Sequence, residues 1–192
     1  MSRRTRGTLA AVAFTAVLVG LIVSQARPPA RGHGLPLADA SIIREQAAAK
    51  HLDPALIAAV IYAESKFEPT TSSAGAEGLM QILPATAYYL AHLSGGIRFT
   101  ESDLATPRIN VAYGSYYLRY LLDHYNGDEM LAVAAYNGGL ANVDHWVAQA
   151  NAAGGQLTVE TIPFPETRAY VQRVFEAQRG YRAEYPRELG LR

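Results

Sequence analysis

The sequence predicts a mainly α domain, and three observations support this prediction. Apolar residues recur at helical spacing, as in the stripe of Tyr113, Tyr117, Tyr120 and Leu121, whose members follow the first at steps of four, seven and eight. Helix start and stop signals flank such segments. The alternation of apolar and polar residues that marks a half-buried strand occurs at most in residues 157–162. We therefore expect helices to form the core.

The same signals place the helices in chain order. Asp53 is a suitable N-cap and Pro54 suits the first helical position, so a helix begins there and runs to about Lys66. Segments 68–78 and 94–107 have the composition of loops. The predicted helices span residues 38–51, 53–66, 84–93, 110–125 and 128–136, a short segment around Trp146, and 166–185.

Residues 1–26 have the features of an export signal. A basic start with Arg3, Arg4 and Arg6 precedes an apolar stretch from Leu9 to Val23, and small residues end the segment at Ala26. This apolar length suits a cleaved signal peptide better than a membrane span. The alternative is an uncleaved signal anchor, because residues 7–26 are uncharged and could cross a bilayer. Both alternatives place the domain outside the cytoplasmic membrane, as an exported envelope protein.

The remaining chain divides into three parts. Residues 27–37 form a linker rich in Pro, Gly and Arg, residues 38–185 form the folded domain, and residues 186–192 form a C-terminal tail. The full chain has 17 basic and 17 acidic residues, but three of the basic residues lie in the first 26 and no acidic residue does. The domain is therefore mildly acidic, which argues against nucleic acid as a partner.

Cysteine and histidine usage narrows the chemistry. The chain contains no cysteine, which excludes disulfides and thiol nucleophiles. None of the five histidines stands at a zinc-site spacing, so we expect neither a metal nor another cofactor.

Glu64 is the first candidate for a chemical role. It follows Val60 by four residues and Ile61 by three, which places its carboxyl group on the apolar face of a helix. Desolvation and the negative end of the helix dipole would both raise its pKa, to near 6, as a general acid requires. Alternatively, its stem lies along the core and its carboxyl group reaches water.

Four short motifs follow one another in an order that resembles a known family. They are Glu64–Ser65, Gly78–Gln81 (GLMQ), Ala135–Asn137 (AYN) and Glu166–Tyr170 (ETRAY), and the stretch DLATPRINVAYGSYYL lies between the second and the third. Together they resemble the catalytic domain of the Slt-type lytic transglycosylases, which are goose-lysozyme-like enzymes that cleave peptidoglycan. The resemblance covers about residues 38–185. It implies a lysozyme-like helical fold with a substrate groove.

The resemblance also implies a role for individual residues. Glu64 would be the sole acid and base, cleaving the bond between N-acetylmuramic acid and N-acetylglucosamine without water and leaving 1,6-anhydro ends. The other residues would contact the glycan, with Met80 along the cleft and the Tyr136 hydroxyl near the acid. The implied substrate-binding residues are Ser65, Gly78, Met80, Gln81, Tyr136, Asn137 and Tyr170.

Two alternatives remain beside this hypothesis. The first is a goose-type muramidase of the same fold, in which water completes the reaction, and the second is a non-catalytic protein that binds glycan in the wall. Glu77 could be taken for a second catalytic carboxylate, but its place in a loop predicts a solvated side chain. We expect a monomer whose partner is the peptidoglycan glycan strand, with a membrane tether only if residues 1–26 are retained.

Overall fold

The computed structural model describes residues 34–95 and 99–191, and this part of the chain is mainly helical. Two short strands pair antiparallel as a hairpin, with Thr70 opposite Gly78. The α-helices are α1 (Ala40–Lys50), α2 (Pro54–Ser65), α3 (Pro84–Leu93), α4 (Pro107–His124), α5 (Glu129–Gly138), α6 (Leu140–Ala152) and α7 (Pro165–Glu184). The strands are β1 (Thr70–Thr71) and β2 (Glu77–Gly78), and 3-10 helices span Glu101–Ala105 and Val159–Thr161.

Helix α2 lies at the centre of the core. Its residues from Ala55 to Ile61 are all buried, as expected for a helix that is apolar on every side. It packs mainly on α7 and also on α1, while α5 contacts α4, α6 and α7. Glu64, the second-to-last residue of this central helix, lies where the helix leaves the core and borders a groove.

Asp53 fixes the start of α2 against α7. One carboxylate oxygen accepts a hydrogen bond from the Ala55 backbone N–H at 3.0 Å, which caps the helix. The other oxygen accepts from Gln178 Nε2 and from Arg182 Nη2, each at 2.8 Å. The helix that carries Glu64 is thus held against the helix that carries Tyr170.

Most predicted helices are confirmed, and their ends differ for local reasons. Helices α2 and α3 begin at Pro54 and Pro84 as predicted. Helix α4 begins three residues earlier than predicted, because Pro107 occupies its first position. Helix α5 continues to Gly138, where Gly139 takes a φ of 85° and ends it.

Two predictions about extended structure need correction. The possible strand at residues 157–162 is wrong, because a 3-10 helix forms there and the Thr158 N–H donates to Thr161 Oγ1 at 2.9 Å. The predicted loop 68–78 contains the β1–β2 hairpin. The 3-10 helix spans three residues and each strand spans two, which is shorter than the roughly four to eight residues over which alternation identifies a strand.

The segments that flank the domain make contacts with it. Leu35, within the predicted linker, donates its N–H to Glu184 Oε2 at 3.0 Å, and the Tyr181 hydroxyl donates to the Pro36 carbonyl at 2.6 Å. Leu189, within the predicted tail, is only 1% exposed. The predicted signal segment 1–26 and linker residues 27–33 lie outside the described residues.

Candidate active site

A groove of about 340 Å³ opens between α2, α5 and α7. Polar side chains from all three helices and from the segment after β2 converge on it. The groove is lined by Glu64, Gln81, Tyr136, Asn137, Tyr170 and Arg173, among other residues. A concave site with a few convergent polar groups is typical of a ligand-binding or catalytic site.

Glu64 carries the ionisable group at the centre of this groove. Its side chain is partly exposed to the groove, and the Tyr170 hydroxyl donates a hydrogen bond to Glu64 Oε1 at 2.7 Å. Desolvation is the main cause that raises the pKa of Glu64 to about 7, and the charge of Glu166 adds to it. The Tyr170 hydrogen bond and the positive charge of Arg173 lower this pKa and partly oppose the rise. Near neutral pH this carboxyl group can therefore hold a proton and also release it.

Tyr170 and Tyr136 place two hydroxyl groups around Glu64. Burial raises the pKa of each well above its ordinary value, and the charge of Glu64 adds to the effect, so both remain protonated. The Tyr136 hydroxyl donates to the Met80 carbonyl at 3.0 Å, while its ring lies 5.3 Å from that of Tyr117. The hydroxyl nearest to the acid is thus that of Tyr170, whereas Tyr136 binds the GLMQ segment.

Gly78 and Gln81 shape the segment that follows the hairpin. Gly78 has a φ of 75°, and a Cβ there would lie 2.8 Å from the Leu104 carbonyl oxygen and overlap the Asn110 amide. Gln81 Nε2 donates to the carbonyls of Thr70 and Gly78, each at 2.8 Å. Gln81 therefore lines the groove and at the same time holds the hairpin.

Asn110 was missed as a functional residue by the sequence analysis. It is fully buried at the start of α4, where its Oδ1 accepts from the Met80 N–H at 2.8 Å. Its Nδ2 donates to the carbonyls of Glu77 and Leu104 at 2.7 and 3.0 Å. The available signal was an asparagine at a core position within the stretch that resembles the family, and its role is to position the GLMQ segment.

Three of the predicted substrate contacts do not line the groove. The Ser65 hydroxyl donates to the Leu79 carbonyl at 2.8 Å and to that of Ile61 at 3.2 Å. Met80, predicted along the cleft, is fully buried, and its side chain packs against Gly114 of α4. Gly78 is buried as well. These residues support the groove from behind.

Asn137 and Glu166 complete the rim on the side of α5 and α7. Asn137 is exposed, and its Oδ1 accepts from Thr167 Oγ1 at 2.8 Å. Glu166 is also exposed and is a second carboxylate that lines the groove. Glu77 lies outside it, where its Oε2 accepts from the Thr71 hydroxyl at 2.9 Å.

The described residues contain neither a metal-binding cluster nor a membrane-spanning helix. Within 34–95 and 99–191, no group of His, Asp and Glu is arranged to hold a metal ion. None of the helices in these two ranges is long and apolar enough to cross a membrane.

The chain is similar in sequence to known proteins. Residues 41–159 match the family model described as the transglycosylase SLT domain. The soluble lytic murein transglycosylase of Escherichia coli K12 is 32% identical over 152 residues, which is 77% of this chain and 23% of that protein. This chain thus spans about a quarter of the length of that relative.

Solved structures agree with the sequence match. The 70-kDa soluble lytic transglycosylase of Escherichia coli is similar with a TM-score of 0.74 and 30% identity, over 82% of this chain and 26% of that chain. The lytic transglycosylase Slt of Pseudomonas aeruginosa, solved as an inactive mutant with Glu replaced by Gln, has a TM-score of 0.70 and 31% identity, over 82% and 25%. The lysozyme-like helical fold and the family match are therefore established together, and this chain belongs to the transglycosylase SLT domain family.

Proposed function

We propose that this domain is a lytic transglycosylase that cleaves the β-1,4 bond between N-acetylmuramic acid and N-acetylglucosamine in peptidoglycan. The observation that carries the proposal is the Glu64 carboxyl group, which faces the groove, accepts from the Tyr170 hydroxyl at 2.7 Å and has a pKa raised to about 7. The relative from Pseudomonas aeruginosa lends support, because it was solved as an inactive Glu-to-Gln mutant. In that protein, replacement of one glutamate by glutamine gives an inactive enzyme.

In the first step Glu64 acts as the general acid. Its proton passes to the glycosidic oxygen, the bond from this oxygen to the anomeric carbon of the muramoyl residue breaks, and N-acetylglucosamine leaves with a free hydroxyl group. Positive charge develops on the muramoyl ring, which the newly formed carboxylate faces. A pKa near neutrality keeps a useful fraction of Glu64 protonated before cleavage.

In the second step the same carboxylate acts as the base. It takes the proton from the muramoyl 6-hydroxyl, whose oxygen bonds to the anomeric carbon and closes a 1,6-anhydro ring. Glu64 is thereby protonated again, and no water is consumed. The Tyr170 hydroxyl lowers the pKa of Glu64 by stabilising the carboxylate between the two steps.

The remaining groove residues would bind and orient the glycan. Gln81, Asn137 and Tyr136 line the groove, and their amide and hydroxyl groups suit the hydroxyl and N-acetyl groups of the sugars. Ser65, Gly78 and Met80 would act indirectly, because they position the segment around Gln81.

The products of digestion test this proposal. Purified peptidoglycan would be digested in water enriched in heavy oxygen and the fragments analysed by mass spectrometry. We expect 1,6-anhydro ends without the heavy isotope, and reducing ends that carry it would contradict the non-hydrolytic reaction. Glu64→Gln should reduce product formation about 10³-fold, whereas Glu68→Gln, which alters an exposed acid outside the groove, should leave it unchanged.

Glu166 favours one competing function, a muramidase that completes the reaction with water. It places a second carboxylate on the groove, and paired carboxyl groups are what hydrolytic glycosidases use. If Glu166 activates water, Glu166→Gln should reduce turnover about as strongly as Glu64→Gln. If Glu166 only adjusts the charge of the groove, the variant should keep most of its activity and its anhydro products.

The third hypothesis is that the protein binds glycan without cleaving it. It predicts that the wild-type chain forms no products. It is disfavoured because the ionisable Glu64 carboxyl group lies in the groove.

We further propose that residues 1–26 direct export, which N-terminal analysis of the exported protein would test. We also propose that the domain acts as a monomer.

A further inference from the structure

We propose that Arg173 forms a subsite for a carboxylate that the muramoyl residue carries on its lactyl substituent. This carboxylate belongs either to the stem peptide or, in strands without peptide, to the lactyl group itself. The inference rests on the proposed function and adds to it a charge-based preference for the kind of strand that is bound.

Arg173 is a cation that faces the groove without a protein partner. It is exposed and lines the cavity that contains Glu64. None of the ion pairs or side-chain hydrogen bonds within residues 34–95 and 99–191 involves its guanidinium group. Two other arginines of α7 are engaged, since Arg168 donates to the Ile162 carbonyl and Arg182 binds Asp53.

The position of Arg173 connects it to the acid. Its guanidinium carbon lies 5.8 Å from the centre of the Tyr170 ring, a cation–π contact that restricts the side chain. The hydroxyl of the same ring donates to Glu64. A carboxylate bound by Arg173 would therefore lie about one tyrosine ring away from the reacting bond.

The charges around the groove leave Arg173 as the place for an anion. Among the described residues that line the groove, Arg173 is the only Arg or Lys, while Glu64 and Glu166 are acidic. Neutral sugar rings need hydrogen bonds and apolar contacts but no cation. The carboxylates of peptidoglycan are carried by the muramoyl substituents, and a guanidinium group binds a carboxylate through two parallel hydrogen bonds.

Kinetics on matched substrates test the inference. The wild-type protein and Arg173→Gln would be assayed on peptide-bearing strands, on the same strands with their carboxyl groups amidated, and on strands stripped of peptide by an amidase. We expect Arg173→Gln to raise KM about five-fold on peptide-bearing strands, as for a solvent-exposed ion pair. Because the charge of Arg173 also lowers the pKa of Glu64, any change in kcat should be the same on all three substrates. On amidated strands the two proteins should have the same KM.

Stripped strands identify the source of the carboxylate. If their KM still rises in Arg173→Gln, the lactyl carboxylate is bound, and if it does not, the stem peptide provides the group. Arg173→Lys should raise KM less than Arg173→Gln does, because lysine keeps the charge but not the paired donors. Arg179→Gln, which removes an exposed cation of α7 away from the groove, is the matched control and should behave as wild type.

Three results would overturn the inference. An unchanged KM on every substrate would mean that Arg173 contacts no ligand, and an equal rise on free and amidated strands would exclude a carboxylate. A changed kcat and pH profile without any rise in KM would mean that Arg173 acts only through Glu64. Failure of the proposed function is distinguishable, because reducing ends would then appear with the wild-type protein itself.

Discussion

Glu64→Gln separates the ionisation of this carboxyl group from its size. Glutamine has nearly the same shape, and its amide oxygen can still accept the hydrogen bond from the Tyr170 hydroxyl at 2.7 Å. The variant should therefore fold as the wild type does. It differs in that it can neither donate a proton as an acid nor become charged within the groove.

The magnitude follows from the pKa of the folded state. That pKa is raised from 4.5 to about 7, so the folded protein holds this proton more tightly than the unfolded chain does. Stability from this group is fully present below about pH 4.5 and is lost as the pH rises toward about 7, because the folded protein must then bury a charge. Between about pH 5 and about pH 8 the wild type should lose about 2 kcal/mol that Glu64→Gln keeps.

Two assays measure these effects. Thermal unfolding followed by circular dichroism should give a wild-type Tm that falls about 5 °C further than that of Glu64→Gln over this pH range. Other carboxyl groups titrate in both proteins and cancel in the difference. Turnover of peptidoglycan should decline as the pH rises above about 7 in the wild type and should be reduced about 10³-fold in the variant.

Either of two results would refute this reasoning. If the difference in Tm is independent of pH, Glu64 titrates as an ordinary solvated carboxyl group and the desolvation argument fails. If Glu64→Gln keeps substantial activity, the acid is another residue, and Glu166 would be the next candidate.

Three further substitutions probe the groove and its support. Tyr170→Phe removes the hydrogen bond that stabilises the Glu64 carboxylate, so the alkaline limb of the pH–activity profile should move to higher pH and turnover should fall about ten-fold. Gly78→Ala should cost about 3 kcal/mol in urea unfolding, because its φ of 75° is strained for alanine and the Cβ overlaps Asn110. Asn110→Ala should lower the free energy of unfolding by about 3 kcal/mol, since it leaves the buried Met80 N–H and Leu104 carbonyl without a partner.

Each of these substitutions has a control or a contradicting outcome. Gly75 also has a positive φ, of 77°, but no atom lies within 4 Å of the Cβ that Gly75→Ala would add. This control should therefore lose only about 1 kcal/mol of stability. Equal losses at Gly75 and Gly78 would show that close packing at Gly78 is unimportant. Asn110→Asp keeps the acceptor but not the donors and should destabilise as well. An unshifted pH profile in Tyr170→Phe would mean that the hydroxyl does not affect the acid.

Local sequence patterns were sufficient to predict the helices and the candidate acid. Helix starts at Pro54 and Pro84 follow from local chemistry, since proline suits the first turn and needs no N–H partner there. The apolar spacing around Glu64 placed its carboxyl group at the edge of the core, because helical periodicity depends only on residues within two turns. The motifs around Tyr136 and Tyr170 indicated the family to which the chain belongs.

The groups that surround that acid depend on tertiary packing. Tyr170 is 106 residues away from Glu64, and Asn110 is 30 residues away from the backbone group that it accepts from, so no local pattern reveals either contact. For the same reason Met80 could be assigned to the cleft, although packing against Gly114 buries it. Desolvation and hydrogen bonding arise from atoms that folding brings together. The raised pKa of Glu64 and the position of the Arg173 cation near it are therefore properties of the packed α2–α7 pair, not of either segment alone.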